Sequence, residues 1–384
     1  MTRVRVEPRL LRWAIARSGV DAARLERRFP RLPQWLQGDV APTMRQLDAF
    51  ARATHTPLGY LFLSEPPAEP LPLPDFRTRG LAPRQQPSAD LLATIYTMQR
   101  RQAWLRELLQ EDGVEPVPFV GSASLDDDPE ALGRRMRDHV GLDADWAARA
   151  RTWQHALGQL RQTIEALGVL VVVNGVVGND THRRLRVEEF RGFALCDDVA
   201  PLIFVNGADA RSAQMFTLAH EFAHLWLGPA GEGLSGYDTL LPPDTRVERF
   251  CNRAAAEFLV PATVLHAHWP GTGRRDDTFR ELARRFKVSP VVVARRALDL
   301  GLVSHDDFRR FYVAYTSSER RSSGGREGGD FYATQHARIG RRFAAYVFRA
   351  ALSGRITFKE AYALTGLHGG TFQAYGRLLG FSLP

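Results

Sequence analysis

Apolar positions recur with a helical period along most of this 384-residue chain. Leu10, Leu11, Ala14 and Ile15, then Leu47, Phe50, Ala51 and Tyr60, mark short helices within residues 1–63, punctuated by Gly19, Pro30, Pro33, Gly38 and Pro42. Leu91, Leu92, Ile95, Met98, Leu105, Leu108 and Leu109 predict a long helix ending at Gly113, and Ala131–Val140 and Trp153–Leu167 predict two more. Three apolar, partly β-branched runs bounded by Gly, Asp, Asn or Pro read instead as strands: Val169–Asn174, Phe190–Cys196 and Leu202–Asn206. A dense helical pattern then opens near Ala210 and stops at Gly228-Pro229. After a Gly- and Pro-rich loop, a second helix is expected from about Thr245 to Val260, closed by Pro261. Residues 276–313 and 337–380 are helical again.

This pattern predicts an α+β fold, predominantly helical, with a small β-sheet packed on a helical core and helical modules at both ends. The segments divide as a helical N-terminal module (1–63), a Pro-rich linker (64–90), a central domain (91–275), a helix-turn-helix-like unit (276–315), a loop (316–329) and a C-terminal helical unit (330–384). The linker carries seven prolines from Pro66 to Pro87, a density that favours extended chain. The loop, Thr316 to Gly329, is low in complexity and is expected to be mobile.

Composition narrows the class. A hydrophobic share of 44% with 24% charged residues is ordinary for a globular chain and excludes global disorder. Cys196 and Cys251 are the only cysteines, too few for a disulfide framework, so a reducing compartment is expected. The start lacks the apolar stretch of a secretory signal, and the run Leu167–Val177 is shorter than the roughly 20 residues of a membrane span, so a cytoplasmic protein with no membrane partner is expected. The net charge of +8 comes almost wholly from arginine, since Lys287 and Lys359 are the only lysines. Arginine suits phosphate contacts, but a GC-rich coding bias explains the same excess.

The chemistry concentrates in Thr217-Leu-Ala-His-Glu-Phe-Ala-His-Leu-Trp226. His220 and His224 lie four apart, so a helix projects both imidazoles from one face, where they can grip one metal ion. Glu221 lies beside them, placed to take a proton from water activated by that metal. This is the H-E-x-x-H spacing of zinc peptidases. The competing reading is a solvated stripe or a pair of satisfied core histidines. A third ligand would favour the metal, because catalytic zinc takes three protein ligands. Glu248 and Glu257 on the next helix both offer a carboxylate; they sit about 180° apart around a helix, so only one can face the metal. Asn252, one turn beyond Glu248, is placed to orient a ligand. Cys251 suits zinc but also reads as a small buried residue. His266 and His268 read as a surface turn; with Tyr237 they are candidates to meet substrate or an oxyanion. The strand Leu202–Asn206 is placed to align an extended substrate by strand addition.

The segment Phe216–Leu225, preceded by Ile203-Phe-Val-Asn206, together with Glu248-x-x-Cys-Asn-x-Ala-Ala-Ala-Glu-Phe-Leu-Val-Pro261, resembles the ImmA/IrrE family of zinc-dependent metallo-endopeptidases. The resemblance spans about Val169 to Pro261. More loosely, the chain resembles the long form with an N-terminal helix-turn-helix-like (XRE-type) domain. It implies a zincin-like peptidase core in 91–275, one Zn²⁺ per chain held by His220, His224 and Glu248, and Glu221 as the catalytic carboxylate. It also implies a protein substrate, a helix-turn-helix repressor or antitoxin-like regulator, cut to control stress-response or mobile-element genes.

Two segments bear on DNA. In the N-terminal module, Trp35-Leu-Gln-Gly38 and Pro42-Thr43 occupy the place of a repressor's turn after its recognition helix. Arg28 to Gly38 leaves room for barely two helical turns, interrupted by Pro30 and Pro33, so protein interaction or autoregulation is favoured over DNA binding. In Leu282–Ala297, Ala283, Val288 and Val293 have helix-turn-helix core spacing, with Arg295 and Arg296 on the second helix. Arginines on a helix are commonly a solvated face, and DNA binding stays open. The alternative to a peptidase is therefore a DNA-binding regulator or antitoxin with a vestigial peptidase core. The intact set His220, Glu221, His224 and Glu248 favours the enzyme.

Overall fold

The computed structural model describes residues 3–69, 87–231, 233–235, 246–270, 275–322 and 331–382. Among these, 3–69 with 87–97 form one compact unit and 98–382 a second. No helix among the described residues is long and apolar enough to cross a membrane.

The first unit holds α1 (Pro8–Ser18), α2 (Ala22–Arg28), α3 (Leu32–Gln37) and α4 (Met44–Ala53). They enclose Leu10, Leu11, Trp35, Leu47 and Phe50. Pro33 sits in the first turn of the six-residue α3, where a missing N–H costs nothing, so it starts that helix instead of interrupting it. Thr43 and Gln46 cap α4 reciprocally. The Arg17 guanidinium ties the chain after α4 back to α1, donating to the His55 carbonyl at 2.9 Å and to Glu69 Oε1 at 2.8 Å. The helix α5 (Ala89–Glu111) begins in this unit and ends in the second.

The second unit continues with α6 (Pro129–His139), α7 (Trp153–Ala166), β1 (Leu170–Asn174), β2 (Val176–Val177), β3 (Asp180–Arg184), β4 (Gly192–Leu195), β5 (Leu202–Asn206), α8 (Arg211–Leu227), β6 (Gly233–Ser235), α9 (Arg246–Leu259), α10 (Ala262–Ala267), α11 (Arg275–Phe286), α12 (Pro290–Asp299), α13 (His305–Ser322), α14 (Phe331–Ile339), α15 (Arg341–Leu352), α16 (Phe358–Thr365) and α17 (Gly369–Leu378). The molecule is thus mostly helical with a small mixed sheet, as an α+β pattern requires. The sheet order is β1-β5-β4-β6, with β5 parallel to β1 and antiparallel to β4. Every residue of β1, β4 and β5 is buried, which is why these strands read as continuous apolar runs. The hairpin β2–β3 escaped sequence analysis because β3 (Asp-Thr-His-Arg-Arg) is polar and exposed and shows no apolar alternation.

Because β5 is paired on both sides, it has no free edge to receive a substrate strand, and strand addition at Leu202–Asn206 is ruled out. A second correction concerns residues 316–322. The helix α13 runs through Thr316 to Ser322, where a loop was expected. Thr316 and Ser317 return their hydroxyls to the carbonyls of Tyr312 and Val313, at 2.9 and 2.7 Å, so these polar residues need not leave the helix. Residues 323–329 of the expected loop, and 70–86 of the Pro-rich linker, lie outside the described residues.

The helix α8 is the centre of the core. From Gln214 to Leu227 every side chain is buried, between β4 and β5 on one side and α9 and α7 on others. Its C-terminal carbonyls, which have no partner within a helix, are satisfied by a preceding loop: Gly121 N–H donates to Leu225 and Ala123 N–H to Trp226, at 3.0 and 2.9 Å. That loop comes so close that a Cβ on Gly228 would lie 2.8 Å from the Gly121 Cα, and Gly228 has φ +65°. Both facts require glycine there.

Candidate metal centre

His220 and His224 stand one turn apart on α8, both fully buried, with their Nε2 atoms 2.8 Å from each other. Glu248, in the first turn of α9, faces them: its two oxygens lie 3.3 Å from His220 Nε2 and 3.4 Å from His224 Nε2. The three ligand atoms fall within 4.8 Å of one another. Burial alone would raise the Glu248 carboxyl, but the two imidazoles overcome it and hold it well below the usual carboxylate range.

This donor set fits a divalent cation. Tetrahedral zinc with nitrogen and oxygen ligands at about 2.0–2.2 Å sets those ligands about 3.3–3.6 Å apart. Both imidazole–carboxylate separations match that spacing, and the imidazole pair needs to open by about 0.5 Å to reach it. His220 Nδ1 is buried and has no hydrogen bond among the described residues. Packing between α8 and α9 therefore orients this ring, with no polar partner on its far side among the described residues.

Glu221 is fully buried beside His220. Its position depends on a residue that sequence analysis missed. A Cβ placed on Gly192, in β4, would lie 2.6 Å from Thr217 Cγ2, 2.8 Å from the Phe204 carbonyl oxygen and 3.2 Å from Glu221 Oε1. Glycine lets the sheet approach α8 closely enough to wall in the carboxylate. An isolated glycine inside a strand pattern was the available signal.

The other candidates are distributed as follows. Asn252 follows Glu248 by one turn on α9; its amide nitrogen and oxygen are buried with no hydrogen bond among the described residues. Cys251 is fully buried within hydrogen-bonding reach of His224, and burial pushes its thiol up, so it stands there as a neutral thiol. Glu257 is turned away from the histidines. It pairs with the buried Arg296 and lies 3.8 Å from Arg137, and its Oε2 accepts the Ala262 N–H at 3.1 Å. That leaves Glu248 as the carboxylate facing the metal site. His266 and His268 are exposed at the end of α10 and are not part of the cluster. His268 instead meets the Val264 carbonyl through Nδ1 at 3.0 Å. Tyr237 lies outside the described residues.

Residues 164–298 match the model of the Peptidase M78 family, described as an IrrE N-terminal-like domain. It points to a peptidase. The match supports the ImmA/IrrE family and contains His220, Glu221, His224 and Glu248, and it runs on through α12. Residues 339–378, from α15 to α17, match a domain of unknown function, DUF8813. No curated protein matches the chain.

Proposed function

We propose that this chain is a zinc-dependent endopeptidase of zincin-like design. The observation that carries the reading is the convergence of His220, His224 and Glu248 within 4.8 Å, with Glu221 on the same turn of α8. When bound to these three side chains, zinc acidifies water at neutral pH and polarises the scissile carbonyl. Glu221 takes the proton released as the carbonyl is attacked and passes it to the leaving amine. Its burial beneath β4 keeps the carboxylate away from bulk water. Glu248, held ionised against its own burial by the two imidazoles, supplies the anionic third ligand in this reading.

The substrate in this reading is a cytoplasmic helix-turn-helix repressor or antitoxin-like regulator, cut to release stress-response or mobile-element genes. The family resemblance supports this class. The N-terminal module, with its six-residue α3 in the recognition position, serves protein recognition better than major-groove reading. On α12, Arg296 is fully buried in an ion pair, which takes one of the two arginines of that helix away from any DNA contact.

Replacing Glu221 with Gln tests the proposal. Zinc content, measured by atomic emission, is expected to stay at one per chain while cleavage of a co-expressed helix-turn-helix regulator falls by about 10²–10⁴-fold. Full biological activity of that variant would instead make the chain a DNA-binding regulator with a vestigial core.

A further inference from the structure

The segment 339–378, which matches a domain of unknown function, ends in two helices joined by the same turn that joins α11 to α12. After α11, Lys287 takes the left-handed conformation (φ 55°), Val288 is buried, and Ser289 leads into α12. After α16, Gly366 has φ 72°, Leu367 is buried, and His368 leads into α17. Both pairs are thus helix, three-residue turn, helix, the layout of a helix-turn-helix. In the second pair Ala361, Leu364, Leu367, Phe372 and Tyr375 form the inner face. Phe372 packs on Phe348 of α15 with ring centroids 4.3 Å apart, and the Thr365 hydroxyl accepts the Leu367 N–H at 3.3 Å, which fixes the turn.

The two pairs differ in what the second helix shows to solvent. On α12 only Asp299 is exposed, so that helix has no face to offer nucleic acid. On α17, Gly370, Thr371, Arg377 and Leu378 are exposed, with Ala374 half-buried among them. Helical spacing gathers these five on one face, opposite the buried Phe372, Tyr375 and Gly376. Gly370, Thr371 and Ala374 are small, which lets the helix backbone come close to whatever it meets. No acid lies on α17, and the segment 339–378 carries six Arg or Lys against one acid, Glu360. Glu360 is engaged at the start of α16, accepting the Thr357 N–H at 2.7 Å, and its neighbour Lys359 is exposed. The β2–β3 hairpin stands beside the turn: Asn179 Nδ2 donates to the Gly366 carbonyl at 2.9 Å. Thr181 lines a cleft with His368 and Thr371, and Arg183, two residues on, shares its face of the strand.

We propose that α16 and α17 form a DNA-binding helix-turn-helix, with the exposed face of α17 in the major groove of duplex DNA. The major groove of B-form DNA admits a helix, and an arginine there pairs with a guanine edge while a threonine meets either a base edge or a thymine methyl. Arg377 and Thr371 are the residues of α17 with that chemistry, and Lys359 meets the phosphate backbone. The deep, narrow major groove of an RNA duplex excludes such a helix, which sets the partner as DNA. The assignment is independent of the metal centre. Together with the proposed substrate class, it brings the chain to the DNA that a repressor occupies.

The test is fluorescence anisotropy of the full-length chain with a labelled, mixed-sequence DNA duplex about three helical turns long. Unlabelled DNA, double-stranded RNA and polyglutamate serve as competitors. Binding is expected with a dissociation constant of about 1–100 μM at physiological salt, tightening about tenfold or more at about 50 mM. Gly370→Glu is the decisive variant. A Cβ at Gly370 meets nothing within 4 Å, and a carboxylate in the first turn suits the helix dipole. Its melting temperature should therefore be unchanged or higher, while its affinity for DNA falls about tenfold or more. Arg377→Ala should weaken binding about threefold to tenfold and lower the salt slope by about one. Arg45→Glu, an exposed position in the first turn of α4, should bind DNA as the parent chain does. The proposal is overturned if the duplex does not bind, if RNA or polyglutamate displaces it as well as DNA does, or if Gly370→Glu binds like the parent. Loss of binding in Arg45→Glu would equally overturn it, by moving the contact to the N-terminal module. The measurement involves no cleavage, so its outcome is separate from that of the peptidase reading.

Discussion

Glu165, near the end of α7, is a carboxylic acid kept out of water. Burial pushes it up to about 7 from its ordinary 4.5, although Arg161 sits 3.9 Å away and Arg341 and Arg342 pull in the opposite direction. Between these two values the native state holds a proton that the unfolded chain has released, so its stability falls as pH rises from about 4.5 through 7 and is level above. The loss amounts to about 3 kcal/mol at most. Glu165→Gln, neutral at every pH, is expected to keep its melting temperature between pH 5 and pH 8 better than the parent chain does. Parallel losses in the two proteins would refute the assignment. Gly192 carries a second prediction at this scale. Gly192→Ala drives a Cβ into Thr217 and the Phe204 carbonyl, and should cost about 1–3 kcal/mol in urea unfolding. It should also reduce proteolysis more than zinc content, because Glu221, 3.2 Å from that Cβ, is one of the two side chains that must give way.

Between elements, α6, α9 and α12 are joined by a buried ion-pair network. Arg296 on α12 is fully buried and engages Glu257, Glu130 at 3.2 Å and the Val260 carbonyl at 3.3 Å, while Arg137 on α6 donates to the Glu257 carbonyl at 2.7 Å. Arg296→Met strands a carboxylate that is 2% exposed, and should cost about 3–5 kcal/mol. Its sequence neighbour makes the control: Arg295 pairs with Asp299 at 3.0 Å on the partly exposed face, and Arg295→Met should cost less than about 1 kcal/mol. Urea midpoints of the two variants read the contrast, and equal losses would dissolve the network argument. A solvated arginine and a buried one are indistinguishable in the sequence here. Arg295 and Arg296 are adjacent, and only the rotation of α12 against α6 and α9 decides which goes inside.

Across the whole molecule, what was legible in the sequence is what the chain encodes locally. Leu202–Asn206 was read to the residue, and Ala210–Gly228 and Thr245–Val260 to within a residue at each end, because apolar periodicity and Gly or Pro stops are local signals. The facing of His220 and His224 followed from helix geometry alone. The sheet order β1-β5-β4-β6 was not legible, since pairing of distant strands leaves no trace in their spacing, and that order is what removed β5 as a substrate edge. Glu248 was separable from Glu257 by family likeness, and physically only by the Arg296 network that claims Glu257. A metal held by the cluster would link α8 and α9, the two helices whose facing side chains supply its three residues. An ion bound to the native state alone stabilises it by about 4 kcal/mol at a free concentration a thousandfold above its dissociation constant. Adding 1,10-phenanthroline is therefore expected to lower the melting temperature of the parent chain and of Glu221→Gln alike. Glu248→Gln, which removes one ligand, should melt lower from the start and respond little to the chelator. A chelator shift of full size in Glu248→Gln would show that the ion is held without α9, and the link between the two helices would then have to be packing alone.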